Sequence, residues 1–241
     1  MMRTDSMAKT PLGKLKPTAI GMTEFERLPR SVIEGYRALE DLTGTTSAAM
    51  DELELDRVVP ASVLRPSDPK ARIVGQALTV LNRKSPERRK TSGLADIEAH
   101  NLAQPGDVLV VQGVAGISSM GGVSASIGKR QGEIAAVVDG AVRDIDHSRS
   151  IGYPIWSAGV SPITGKWRIE TMAVNQPVEI AGIEVKPGDL VVADECGVCF
   201  VPFARAAEVL AIAQRLAASE KARLEKLDAG IPLAEYVKLP R

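Results

Sequence analysis

The chain has 241 residues, long enough to bury a sizeable core without disulfide staples. Thirty Lys and Arg balance thirty Asp and Glu, so the formal net charge is zero and no global field recruits nucleic acid or an anionic membrane. Hydrophobic residues make up 44% of the chain but aromatic ones only 3%, so Ala, Val, Leu and Ile must fill the core, and stacking platforms for bases are scarce.

No stretch approaches the roughly 18 apolar residues of a membrane span, and the N-terminal residues lack the continuous apolar core of a signal peptide. The expectation is a cytoplasmic protein with neither membrane nor nucleic acid as partner. Residues 1–30 are polar and punctuated by proline, which predicts an arm that is disordered or lies across a neighbouring subunit. From 31 to 43, Val32, Ile33, Tyr36 and Leu39 share one helical face, and the Thr/Ser-capped run 45–53 repeats the pattern. A Pro-rich loop then feeds a β-branched strand near 73–81. The segment 82–93 breaks periodicity and carries Arg83, Lys84, Arg88, Arg89 and Lys90, which suits a solvated loop or an anion-attracting flap.

A capped helix is expected over 92–102, then a turn and strand (QPGDVLVVQG), the glycine-rich GVAGISSMGG, and a helix from Ser124 to about Gln131. The strand IAAVVDG, a helix from about Asp144 to Ser150 and the strand YPIWSAGV follow. Near-continuous apolar strands alternating with helices mark a sheet covered on both faces. Residues 177–202 switch to short strands and tight turns, and a long helix occupies about 203–227. The phrase Pro-Gly-Asp before an apolar strand occurs at 105–107 and 187–189, as expected for a type II turn used twice. Cys196 and Cys199 form a lone CxxC on a strand-turn-strand pattern, and with only His100 and His147 elsewhere no second ligand pair makes a zinc site. Two packed free thiols are expected.

Two segments carry candidate chemistry. GVAGISSMGG follows a strand and opens a helix, so backbone N–H groups and the positive helix end converge on one point suited to a carboxylate or phosphate. Its glycines fit neither the dinucleotide fingerprint nor a P-loop. In VVDGAVRDIDH a buried strand ends in Asp139, Arg143, Asp144, Asp146 and His147, at the strand end where open α/β sheets bind ligands. Arg143 offers a fork of donors for a carboxylate or enolate, and Asp144 a hard oxygen for a divalent cation. Helix capping with a surface ion pair is the plainer account. Lys166, Trp167 and Arg168 set an aromatic between two cations where a sugar-acid carboxylate could sit, or simply form a strand with exposed charges.

The run GGVSASIGKRQGEIAAVVDGAVRDIDHSRSIGYPIW, with PVEIAGIEVKPGDLVVADECGVCFVP after it, resembles the RraA-like family of metal-dependent 4-hydroxy-4-methyl-2-oxoglutarate aldolases, oxaloacetate decarboxylases and ribonuclease activity regulators. The resemblance spans roughly 42–215. It implies an α/β, three-layer β/β/α swivelling-domain fold with a central mixed sheet and a C-terminal helix. It places a single domain at 31–230, a tail at 231–241, and sites between the subunits of a homotrimer or hexamer. It also implies that Asp144 holds Mg²⁺ or Mn²⁺, that Arg143 holds a pyruvyl unit, and that the amides of Gly121, Gly122, Val123 and Ser124 hold a small 2-oxo acid substrate. Three positions depart from the pattern. Gly122 stands where the aldolases carry an acid, His147 where Arg-Asp-x-x-Glu ends, and Cys196 where an Asp usually precedes Gly197.

The expected activity is therefore that of a divalent-metal-dependent carbon-carbon lyase working through a pyruvate-like enolate. With Gly122 in place of the acid, the base for aldol cleavage would be His147, a metal-bound water or a neighbour's carboxylate. A non-catalytic ribonuclease regulator, and a lyase or dehydratase on a sugar-acid derivative, are the competing readings.

Overall fold

The computed structural model describes residues 9–239. In chain order the helices and strands are α1 (Arg30–Arg37), α2 (Leu42–Asp51), β1 (Val58–Pro60), β2 (Arg65–Pro66), β3 (Ile73–Lys84), α3 (Asp96–Leu102), β4 (Asp107–Gln112), β5 (Ser118–Met120) and α4 (Gly122–Gln131). After these come β6 (Ala135–Val142), α5 (Ile145–Ser150), β7 (Ile155–Val160), β8 (Ile169–Val174), β9 (Val178–Ile180), β10 (Ile183–Val185), β11 (Leu190–Asp194), β12 (Gly197–Val201), α6 (Ala206–Asp228) and α7 (Leu233–Tyr236).

One mixed sheet runs β1-β12-β11-β3-β4-β6-β7-β2, with β5 added on β6 and β8 on β3. The β3-β4, β4-β6 and β6-β7 pairs are parallel, so the carboxyl ends of these four strands lie along one edge. Side chains alternate along each strand, and this period assigns the two faces. Val74, Leu78 and Val80 of β3, Leu109 of β4 and Val138 of β6 pack under helices, while Ala77, Val108, Val110 and Val137 face the other way. That second face is covered by the β9–β10 hairpin through Val178, Ile180 and Val185. The chain is thus a three-layer β/β/α fold with a central mixed sheet, and the long helix α6 closes its C-terminal half. The strands read as apolar on both faces because one is roofed by helices and the other by a two-stranded sheet.

Residues 9–30 lie against their own domain. Glu98 of α3 accepts hydrogen bonds from the backbone amides of Leu12 and Lys14, Arg27 pairs with the buried carboxylate of Asp107, and Leu28 N–H donates to Gln76 at 3.0 Å. Backbone N–H groups of the arm, together with the Arg27 side chain, supply the donors that tie it down; residues 1–8 of that arm fall outside the described part. The Pro-Gly-Asp phrases form matching turns, with Gly106 and Gly188 at φ of 94° and 87° and a 3.1 Å bond closing each. Other expectations shift. The strand near 73–81 continues to Lys84, because β8 pairs with it past a bulge at Leu81 and Asn82. The helix expected from Ser92 begins at Asp96, because Gly93 bridges to Glu170 and the Ala95 amide is held by Thr171 Oγ1 at 2.9 Å. Residues 166–168 lie in the turn before β8 rather than in a strand. Of the two free cysteines only Cys199 is packed, on β12, where burial and Asp194 push its thiol up to about 12. Cys196 is exposed in the β11–β12 turn.

Leu78 is fully buried on the strand between β4 and β11. Leu78→Ala should lower the unfolding free energy by about 3 kcal/mol, read from urea midpoints at constant slope.

Candidate active site

The parallel strand β6 ends at Val142, and the next two residues turn back over the start of α4. Arg143 N–H donates to Met120 O at 3.1 Å, which places its side chain beside the glycine-rich loop. Asp144 takes φ 55° and ψ 40°, a left-handed conformation uncommon for a residue with a Cβ and tolerated best by Asp and Asn. This turns its carboxylate towards α4, where Oδ2 accepts the Gly122 N–H at 2.9 Å. The Arg143 guanidinium Nε stands 3.6 Å from the same oxygen, and both side chains remain nearly half exposed. A Cβ on Gly121 would lie 2.6 Å from Asp144 Oδ2 and 3.0 Å from Arg143 Cγ, so the absence of a side chain at Gly121 is what lets the pair close over the helix start.

These groups line a cleft of about 470 Å³, with Asp96 and His100 of α3 on one wall and Ser118 to Ser124 on another. Thr164 to Lys166 form the outer rim. Arg143, Asp144, Gly121, Gly122, Val123 and Ser124 therefore share one space. The cradle is narrower than expected, because the Gly122 amide is given to Asp144, which leaves the first-turn amides of Val123 and Ser124 to face a ligand.

His147 lies elsewhere. Its Nε2 is 2.8 Å from Ser126 Oγ, and with Arg130 it lines an adjoining hollow that shares Gly122, Val123, Ile127 and Asp144 with the cleft. Its ring stands where a side chain at 122 would begin, since a Cβ on Gly122 would meet His147 Cδ2 at 2.9 Å. The imidazole and the missing acid thus compete for one place. The ring of Trp167 sits 5.4 Å from Arg88 and 5.3 Å from Lys166, while the Arg168 guanidinium is turned onto Thr164 O at 3.1 Å. Two cations of the basic loop, Arg83 and Arg89, are held by Glu170 at 3.1 Å each. Asp139 accepts from the Ala181 N–H at 2.8 Å and so braces the β9–β10 hairpin.

A set of buried groups behind the cleft escaped the sequence reading. His100 Nδ1 is 2.8 Å from Glu133 Oε1, His100 Nε2 is 2.8 Å from Ser124 Oγ, and Ser124 Oγ donates to Asp96 Oδ2 at 2.9 Å. Tyr153 O–H donates to the other oxygen of Glu133 at 2.6 Å. Burial would lower the His100 imidazole, but Asp96 and Glu133 outweigh it and raise it from 6.5 to about 9. Burial likewise opposes ionisation of Asp96, and His100 with Ser124 overcomes it and holds this carboxyl below the usual range. The only local signal was the four-residue spacing of Asp96 and His100 on a helix; Glu133 and Tyr153 reach them only through the fold.

Among the described residues no three His, Cys, Asp or Glu side chains stand close enough together to form a metal cage. The donor set fits a cation held by one carboxylate, with its second oxygen turned from Gly122, and completed by water and substrate, as Mg²⁺ often is.

Comparison with known proteins shows the family. The sequence profile of the RraA-like family, described as Aldolase/RraA, matches residues 43–200, and the chain belongs to that family. It is 29% identical over 204 residues, 84% of this chain and 86% of the relative, to a Halalkalibacterium halodurans protein provisionally named 4-hydroxy-4-methyl-2-oxoglutarate aldolase. An uncharacterized protein of Pseudomonas syringae pv. tomato superposes with a TM-score of 0.75 at 28% identity, covering 88% of this chain and 99% of that one. Streptomyces coelicolor RraAS2, described as an unusual member of the RNase ES inhibitor RraA protein family, does so with 0.71 at 29%, covering 86% and 100%.

With its folded value above the free one, His100 contributes stability that is complete below about pH 6.5 and lost as pH rises through about 9. In NMR titration its ring resonance should therefore move near pH 9, and His147→Ala leaves it the single histidine to follow. The stability gap between that protein and one also carrying His100→Gln should shrink as pH is raised from 6 to 10.

Proposed function

We propose that the protein is a divalent-metal-dependent lyase that cleaves a small 2-oxo acid through a pyruvate-like enolate. The observation that carries it is the meeting of Arg143, Asp144 and the first-turn amides of α4 in one cleft at the carboxyl end of β6. The aldolase name of the bacterial relative supports the reaction class. Bound Mg²⁺ or Mn²⁺ on Asp144 would supply Lewis-acid polarisation of the keto oxygen. The Arg143 guanidinium presents a planar fork to the substrate carboxylate, and the amides of Val123 and Ser124, at the positive end of α4, orient its other oxygens.

Decarboxylation of a 2-oxo-diacid needs no base to start, whereas aldol cleavage also needs the hydroxyl proton removed. We assign that step to His147, which borders the cleft from the adjoining hollow. Ser126 engages its Nε2, and the Cδ2 edge of its ring fills the space beside Gly122 where the aldolases' acid would start. Trimeric or hexameric assembly would wall the half-exposed Arg143 and Asp144 from water. The likeness to RraAS2 favours one competing reading, a regulator that binds a ribonuclease, which would show as co-purification with an endoribonuclease that survives changes at Arg143.

Metal-stimulated turnover of oxaloacetate and 4-hydroxy-2-oxo acids decides between them. Asp144→Ala and Arg143→Lys should each abolish it with the circular dichroism spectrum unchanged, since one ammonium cannot replace a bidentate fork. His147→Ala should slow cleavage of a 4-hydroxy-2-oxo acid by roughly 10²-fold while oxaloacetate decarboxylation changes little. Equal losses on the two substrates would assign His147 a structural role.

A further inference from the structure

The buried array of Glu133, His100, Ser124 and Asp96 has the outline of a charge-relay triad with an extra carboxylate at its open end. Its hydrogen-bond polarity decides what it can do. Ser124 has one proton and gives it to Asp96 Oδ2 at 2.9 Å. His100 Nε2, 2.8 Å from the same hydroxyl oxygen, must then be the donor. Both oxygens of Glu133 accept, one from Tyr153 and one from His100 Nδ1, so that nitrogen carries a proton too. The ring is an imidazolium, and the serine is not poised as a nucleophile, because no base is free to take its proton.

An imidazolium is costly to desolvate and is held in the interior only by both carboxylates, so its position relative to the cleft is informative. His100 and Glu133 are closed off, whereas a quarter of the Asp96 side chain is accessible on the cleft wall. The array therefore runs from the interior to the space occupied by substrate in the reading above. It ends in a carboxylate on the α3 side of α4's first turn, while His147 lines the adjoining hollow.

We propose that Asp96 delivers the proton that quenches the enolate, and that Ser124 and His100 re-supply it from inside the fold. This rests on the lyase reading. In the step, the His100 Nε2 proton passes to Ser124 as the Ser124 proton passes to Asp96. The Asp96 O–H bond then breaks as a C–H bond forms at C3 of the enolate, whose electron pair makes that bond while the keto group is restored. His100 is left neutral and regains its proton through the same groups from water once product leaves, so one solvent proton reaches C3 per turnover. Asp96 is the group that touches substrate; Ser124 and His100 are positioning and supplying residues.

Exchange of the methyl protons of pyruvate in D₂O, followed by NMR with Mg²⁺ present, reads this transfer in reverse without any carbon-carbon chemistry. Asp96→Asn should slow the exchange by roughly 10²-fold. Ser124→Ala should also slow it, because it cuts the link to His100 while leaving the carboxylate. Oxalate, a planar mimic of the enolate, should bind both variants with Mn²⁺ no more than threefold more weakly than wild type by calorimetry, which a misfolded or metal-deficient variant would not do. Wild-type exchange in Asp96→Asn, or a loss of oxalate affinity that matches the loss of exchange, would overturn the proposal. A wild-type protein that neither exchanges pyruvate nor binds oxalate would instead overturn the lyase reading beneath it.

Discussion

The hydrogen bond from the Gly122 amide to the Asp144 carboxylate joins the end of β6 to the beginning of α4, and the candidate site depends on it. It requires Asp144 to adopt a left-handed backbone and Gly121 to lack a side chain, two unfavourable or restrictive choices that meet at one point. In return, Arg143 and Asp144 are held over a helix N-terminus whose remaining first-turn amides face the same cleft. At the far end of the helix, Gly132 takes the left-handed cap at φ 98°, and the chain enters β6 three residues later. The glycine-rich loop, α4 and β6 thus form one closed unit around this bond.

A chain with zero net charge separates its charges locally. The outer rim of the cleft carries Lys166 beside Trp167, and Arg143 stands within it, while the inner wall carries Asp96 backed by a buried imidazolium. An anionic substrate entering from the rim would meet cations before carboxylates. The loop cations Arg83 and Arg89 are partly neutralised by Glu170, while Arg88 and Lys166 each stand within 5.4 Å of the centre of the Trp167 ring. Such exposed charges steer more than they bind, because solvent and salt screen them. The two proton-handling candidates also differ by environment. His147 lies at the surface on Ser126, while Asp96 is coupled to groups shielded from water, so each can serve a different proton.

Local pattern carried much of the architecture. Strand alternation, the paired Pro-Gly-Asp turns and the run around VVDGAVRD are short-range features, and each follows from side-chain period or backbone preference within a few residues. They made legible the order of elements, the glycine-rich loop ahead of α4, and Arg143 with Asp144 at the end of β6. What they could not convey was contact between residues far apart in the chain. The extension of β3, the late start of α3 and the docking of residues 9–30 all come from partners more than forty residues away. The same is true within the site. His147 shares a short motif with Arg143 and Asp144, yet α5 carries it into the adjoining hollow. Asp96, His100, Ser124, Glu133 and Tyr153 share no motif and form one hydrogen-bonded line. By itself, then, the sequence determined which residue types could bind an anion and a cation at a strand end, because backbone geometry there is local. Only the tertiary structure decided where the protons sit, because that depends on which buried donors and acceptors packing brings within 3 Å of each other.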